Sequence, residues 1–213
     1  MTVQAKICGL NDAAGVDAAA QGGAAFVGFV FFPRSPRAVT PEAAAPLIAR
    51  APQGIVRVGL IVDADDATIR RIVDVAKIDM LQLHGAESPG RVAEIKTLFK
   101  LPVMKALPIS TAADVDHASA YEDVADRLMF DARPPKDATR PGGNAVAFDW
   151  TLLKGRRFRR PWVLAGGLSA ANVAEAVALS GANTVDVSSG VEDAPGRKNP
   201  EKILEFLEVV ATL

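Results

Sequence analysis

The sequence predicts the α/β class, and within it a single-domain (β/α)8 TIM barrel that takes up residues 1–213. Three observations lead there. Short apolar runs rich in β-branched and aromatic residues recur along the whole chain, each followed by a segment of helical character, which is the pattern of parallel strands joined by crossover helices. There are eight such runs, the number that closes a barrel of this kind. No Gly-x-Gly-x-x-Gly follows the first run, where an open dinucleotide-binding sheet would carry one.

The first run, residues 3–8, ends at Cys8 and gives way at Gly9 to a helical segment. The second, 25–31, leads into a loop with Ser35-Pro36-Arg37, and Thr40 before Pro41 with Glu42 following marks a helix start, a capping hydroxyl ahead of a proline that needs no N–H partner. The third and fourth runs are 56–62 and 78–83; His84 ends the fourth, and Ser88 before Pro89 opens the next helix. The fifth is 102–105. The sixth, 127–130, ends at Asp131 and is followed by a long irregular stretch, 132–147, with the breakers Pro134, Pro135, Pro141, Gly142 and Gly143 and the cations Arg133, Lys136 and Arg140. A loop of that length is usually functional or disordered, and at a barrel mouth it reads as a lid, the alternative being a solvated surface loop. The seventh run, 162–165, precedes Gly166-Gly167, with Ser169 as the expected cap of an alanine-rich helix over 170–179. The eighth, 184–188, precedes Ser189-Gly190, and Asn199 before Pro200 starts the last helix.

Composition agrees with one globular core: 49% of the 213 residues are hydrophobic and 23% charged. The 24 basic and 25 acidic side chains nearly cancel, so no global field points to nucleic acid or a membrane surface as a partner. No run approaches the roughly 18 apolar residues of a membrane span, and the first residues lack a signal-peptide pattern; a cytoplasmic location is expected. A single cysteine, Cys8, cannot form an intramolecular disulfide, and with His84 and His117 as the two histidines a zinc cage is not expected, so the sequence calls for no metal. No heptad pattern or apolar seam marks a partner surface, and a monomer is the default.

In a parallel barrel the βα loops converge at the C-terminal strand ends, and the site is built there. That rule selects Cys8, His84 and Asp131 and the loops that hold Gly166, Gly167, Ser188, Ser189 and Gly190. A lone cysteine is commonly an inert core residue, but at the rim, partly exposed and near positive charge, a thiolate serves as base or nucleophile. No adjacent histidine supports an acyl-transfer triad. The carboxyl of Asp131 emerges after an apolar run, where partial burial favours a proton donor; a loop-capping aspartate is the alternative. An acid and a base on strands one and six face each other and suit proton transfer at two atoms of one substrate. The glycines and serines after strands seven and eight let backbone N–H groups approach a phosphate, helped by the helix N-termini that follow. Arg37 offers a fork for bidentate pairing with a substrate carboxylate. His84 and Asp186 complete the substrate-binding candidates, each with a structural role as its alternative.

Read in order, Lys6-Ile7-Cys8-Gly9, Phe26-Val27-Gly28-Phe29-Val30-Phe31, Ser35-Pro36-Arg37, Val58-Gly59-Leu60-Ile61-Val62, Leu81-Gln82-Leu83-His84-Gly85, Gly142-Gly143, Phe148-Asp149-Trp150 and Asp186-Val187-Ser188-Ser189-Gly190-Val191-Glu192 resemble the signature stretches of phosphoribosylanthranilate isomerases over essentially the whole chain. The first and last stretches are the most specific. The resemblance implies an Amadori rearrangement of N-(5-phosphoribosyl)anthranilate to 1-(2-carboxyphenylamino)-1-deoxyribulose 5-phosphate, in tryptophan biosynthesis, without metal or organic cofactor. It implies Asp131 as general acid toward the furanose ring oxygen, Cys8 as general base toward the C2′ proton, Arg37 on the anthranilate carboxylate, and the loops after strands seven and eight on the phosphate.

One stretch departs from the family pattern. Members usually carry a further glycine and often a cation after Gly-Gly, where this chain reads Gly142-Gly143-Asn144-Ala145-Val146. Other phosphosugar barrels fit the fold and the phosphate loops, but an epimerase would show metal ligands at its strand ends and an indole-glycerol-phosphate synthase a lysine acid. A non-catalytic phosphate-binding barrel would have no use for Cys8 and Asp131 together.

Overall fold

Alternation along the first strand sets the plan of the molecule. In β1 (Gln4–Cys8) successive side chains point to opposite faces: Ala5 and Ile7 enter the large apolar layer under the helices, whereas Cys8 joins Val30 and Leu60 on the other face. The computed structural model describes residues 2–133, 142–143 and 147–213. Within them β1, β2 (Phe26–Val30), β3 (Val56–Ile61), β4 (Met80–Leu83), β5 (Val103–Ile109), β6 (Arg127–Ala132), β7 (Trp162–Leu164) and β8 (Thr184–Val187) form a closed parallel barrel, each strand beside its neighbour in sequence and β8 pairing back onto β1. Phe26, Val58, Met80, Met104, Ala106, Met129, Val163 and Ala165 pack together as the barrel interior, so the centre is a filled core with the site above it.

The helices begin where capping chemistry allows. Asp12 accepts from Gly15 N at 2.7 Å to start α1 (Ala13–Gln21). Thr40, Ser88 and Asn199 accept from Ala43, Arg91 and Lys202 ahead of Pro41, Pro89 and Pro200, starting α2 (Pro41–Ile48), α4 (Pro89–Phe99) and α7 (Pro200–Ala211). Each cap contributes about 1 kcal/mol. Between them lie α3 (Asp66–Ala76), α5 (Ala112–Asp116) and α6 (Val173–Ser180). Between β6 and β7 the described residues hold a 3-10 turn, Trp150–Leu153, in place of a full helix.

Three expectations are corrected. The fifth strand does not stop at Lys105. It runs on to Ile109 beside β6 alone, because β4 has ended by then, and Pro108 has no ladder donor to miss on its open side. Ser169 does not cap α6. Residues 170–172 form a turn and the helix starts at Val173, with Asn172 bridging the loop: its Oδ1 accepts from Ser169 N at 2.8 Å and its Nδ2 donates to Gly167 O at 2.9 Å. A short antiparallel hairpin, β9 (Glu192–Ala194) with β10 (Arg197–Lys198), follows β8, in a stretch without an apolar run to mark a strand. Most of the lid read at 132–147 lies outside the described residues; Gly142 and Gly143 lie within them.

Candidate active site

The strand ends surround a cavity of about 750 Å³, lined by Cys8, Arg37, Gln82, His84, Asp131 and Asp186, by Gly142 and Gly143, and by Gly166, Gly167, Ser188 and Ser189.

Lys6 and Cys8 share one face of β1, and Gly28 stands opposite Cys8 on β2. A β-carbon on Gly28 would lie 3.0 Å from Lys6 Nζ and 3.1 Å from Cys8 Sγ, so the missing side chain is the space that lets ammonium and thiol meet. Cys8 is only 4% exposed, a correction to the partly exposed thiol expected from its place at the rim: Val30 and Leu60 close over it. Burial pushes its pKa up, Lys6 pulls it down, Asp186 adds to the rise and Lys198 opposes it. Lys6 is fully buried. Burial works against its charge, but Asp186 Oδ1 at 2.7 Å and Cys8 outweigh that and raise its pKa. Asp186 thus lines the cavity with one oxygen already engaged by Lys6.

Asp131 and His84, separate in the sequence reading, form a pair. Asp131 Oδ2 lies 3.1 Å from His84 Nε2, and Oδ1 accepts from Ala132 N at 2.9 Å. His84 Nδ1 lies 3.1 Å from Gln82 Nε2. Gly142 lies over this pair, because a β-carbon there would be 2.7 Å from Asp131 Oδ2 and 2.8 Å from His84 Cε1.

The fork expected of Arg37 is half occupied. Nε and Nη2 donate to the two oxygens of Glu192 at 2.7 and 2.8 Å, so the side-on edge of the guanidinium is taken, and on the end-on edge Gly143 packs against Nη1 and its carbonyl accepts from Nη2 at 3.4 Å, a long contact that a ligand carboxylate would replace. Lys198 Nζ reaches the same Glu192 Oε1 at 2.9 Å and Ser188 O at 2.8 Å. Burial works to raise the Glu192 pKa, and Arg37 and Lys198 outweigh it and hold the carboxyl below its usual range. Burial lowers the Lys198 pKa against the pull of Glu192.

Gly166 and Gly167 adopt positive φ, 91° and 66°, which a side chain would resist. Gly166 also lies against Ala132 N and Asp131, joining the loop after β7 to the acid. Ser188 and Ser189 line the cavity beside it. Gly190 sits where the Leu168 carbonyl passes, so its place is the contact between the two loops, outside the cavity lining. Four residues went unassigned in the sequence reading: Lys6, Gln82, Glu192 and Lys198. A signal existed for two of them, since Lys6 and Gln82 stand two positions before Cys8 and His84 and therefore share their face of the strand.

Fold and site together define a (β/α)8-barrel enzyme equipped for acid–base chemistry on an anionic ligand. The model of the N-(5'phosphoribosyl)anthranilate (PRA) isomerase family matches residues 5–209. The N-(5'-phosphoribosyl)anthranilate isomerase of Paramagnetospirillum magneticum is 56% identical over 208 residues, 98% of this chain and 97% of the relative. Among solved structures, the phosphoribosyl anthranilate isomerase of Thermotoga maritima superposes with a TM-score of 0.89 at 32% identity, covering 99% of this chain and 100% of that one. A phosphoribosyl anthranilate isomerase in complex with reduced 1-(o-carboxyphenylamino)-1-deoxyribulose 5-phosphate does so with a TM-score of 0.86 at 31% identity, over 99% and 100%. The chain belongs to the N-(5'-phosphoribosyl)anthranilate isomerase family.

Proposed function

We propose that the chain converts N-(5-phosphoribosyl)anthranilate to 1-(2-carboxyphenylamino)-1-deoxyribulose 5-phosphate, a step of tryptophan biosynthesis, with Asp131 as general acid and Cys8 as general base. The observation that carries the assignment is that the only thiol of the chain and the Asp131 carboxyl line one cavity together with the two glycine–serine loops. Asp131 gives its proton to the furanose ring oxygen. The C1′–O bond breaks with its electron pair going to that oxygen, and the anthranilate nitrogen supplies the pair that makes the Schiff base. The thiolate form of Cys8, which Lys6 and Lys198 favour against burial, then takes the C2′ proton, the C2′–H pair becomes the C1′=C2′ bond of an enolamine as the C1′=N pair returns to nitrogen, and tautomerisation places a proton on C1′ and leaves the ketone at C2′.

The remaining groups bind and orient. The end-on edge of Arg37 meets the anthranilate carboxylate, and backbone N–H groups of the loops that carry Gly166 and Gly167 and Ser188 and Ser189 hold the phosphate, with Gly190 setting the contact between the two loops. His84 orients Asp131, and Asp186 keeps Lys6 charged beside Cys8. The test is the decay of substrate fluorescence with substrate generated in place. Wild type turns over, and Cys8→Ser and Asp131→Asn, still folded, lose about 10² to 10⁴-fold. An inert wild type would overturn the assignment.

A further inference from the structure

The hairpin of β9 and β10 supplies neither the acid nor the base of the reaction, yet it is fastened to the site. A β-carbon on Gly196, in its turn, would collide with Pro36 O of the loop after β2, and Gly196 O accepts from Asn11 Nδ2 at 2.8 Å. The side chains of Glu192 and Lys198, its first and last residues, are 4% and 0% exposed.

Lys198 Nζ joins two loops. It donates to Ser188 O at 2.8 Å, to Ser188 Oγ at 3.3 Å and to Glu192 Oε1 at 2.9 Å, so the three hydrogens of an ammonium have three acceptors and none is left for a ligand. Glu192 in turn holds Arg37 through Nε and Nη2 at 2.7 and 2.8 Å. Two cations therefore share one buried carboxylate, and an unbroken chain of hydrogen bonds runs from Ser188 through Lys198 and Glu192 to Arg37. The Ser188–Ser189 peptide is trans, so a carbonyl held on Lys198 turns the Ser189 N–H the opposite way, and Ser189 lines the cavity that Lys198 does not reach. Arg37 and Ser188 also flank Gly9, where a β-carbon would lie 2.5 Å from Arg37 Cδ and 3.2 Å from Ser188 Oγ.

We propose that Lys198 is a positioning residue that ties the loop after β8 to Arg37 through Glu192, so that the places for the phosphate and for the anthranilate carboxylate are held at one spacing and weaken together when either link is cut. The inference rests on the ligand assignment made above, in which those two anions occupy these two places. It makes a prediction that charge alone does not. Attraction through space has opposite signs in two variants: Lys198→Met removes a cation and weakens an anion, whereas Glu192→Gln removes a negative charge and tightens one. A tie has the same sign in both. Methionine cannot donate, and an amide has one acceptor oxygen where Arg37 and Lys198 need two, its NH₂ facing a donor instead.

The two halves of the ligand are titrated separately into wild type, Lys198→Met and Glu192→Gln, inorganic phosphate by 31P line broadening and anthranilate by 1H line broadening, with circular dichroism as the check of folding. Both dissociation constants are expected to rise about tenfold in both variants, phosphate in Glu192→Gln included. With the full substrate, KM in Glu192→Gln rises more than kcat falls. In Lys198→Met kcat falls as well, because a cation that favours the Cys8 thiolate is lost, and the binding constants decide. Tighter phosphate binding in Glu192→Gln, a change confined to one of the two probes in Lys198→Met, or unchanged constants with only stability lowered would overturn the tie, and the Glu192→Gln reading stands even where Lys198→Met fails to fold. Wild type that binds both probes without turning over the substrate would overturn the isomerase assignment instead, while the binding constants still decide the tie. Wild type that binds neither would overturn the ligand assignment and the tie with it.

Discussion

Lys6 Nζ lies 2.7 Å from Asp186 Oδ1 with the lysine side chain wholly out of contact with water. Such a pair costs both partners their hydration and is retained only where each has the other. Lys6→Met therefore leaves Asp186 as an uncompensated buried charge and is expected to lower stability by about 3–5 kcal/mol. The double variant Lys6→Met/Asp186→Asn removes both charges and is expected to recover most of that loss in urea unfolding, yet to remain poorly active, because Cys8 has lost its neighbouring cation. Full recovery of turnover in the double variant would show that Lys6 serves the fold alone.

Cys8 is the only cysteine, so its ionisation is readable by alkylation without background. Burial raises its pKa above the ordinary 9.0, with Lys6 and Lys198 opposing. The reactive form is the thiolate. The rate with iodoacetamide is thus expected to climb about tenfold per pH unit through the neutral range and to bend only above 9.0, and to bend at still higher pH in Lys6→Met. A bend near neutrality would contradict the burial argument.

Glu192 holds Arg37 and Lys198 at once. Its folded pKa lies below the ordinary 4.5, so it contributes stability above that value that is lost as the pH falls through its folded pKa. Glu192→Gln is expected to be less stable than wild type at pH about 7 by roughly 1.5–3 kcal/mol, with the gap narrowing below 4.5. Because the end-on edge of Arg37 is set by the side-on pairing, KM should rise more than kcat falls.

Gly142 covers the acid. In Gly142→Ala the new methyl group would meet Asp131 Oδ2 and His84 Cε1 at 2.7 and 2.8 Å, closer than carbon atoms pack. Displacing the pair by a fraction of an ångström should cost up to about 10²-fold in kcat. Thermal unfolding checks that the fold is kept, since the residue stands in a loop.

The barrel was legible because its strands are short apolar runs at regular spacing, and the caps at Thr40, Ser88 and Asn199 were legible because a side-chain acceptor and a proline act locally. What escaped depends on partners distant in sequence. Lys6 and Asp186 are 180 positions apart and Arg37 and Glu192 155 apart; each alone reads as an ordinary charged residue, and only closure of the barrel turns them into buried pairs. The strand beyond Lys105 escaped because Pro108 signals a break, and its tolerance there depends on where β4 stops. Ser169 misled because Ala170-Ala171 has helical composition but forms a turn that Asn172 ties to Gly167.

The central claim is a division of labour, in which Asp131 opens the ring and Cys8 takes the C2′ proton. The measurement that tests it most directly is the kinetic isotope effect on kcat with substrate deuterated at C2′, in wild type, Cys8→Ser and Asp131→Asn. The expected result is a larger effect in Cys8→Ser, where proton removal has become the slow step, and a suppressed one in Asp131→Asn, where ring opening has. The reverse pattern, or the same effect in all three, would contradict the assignment of the two residues.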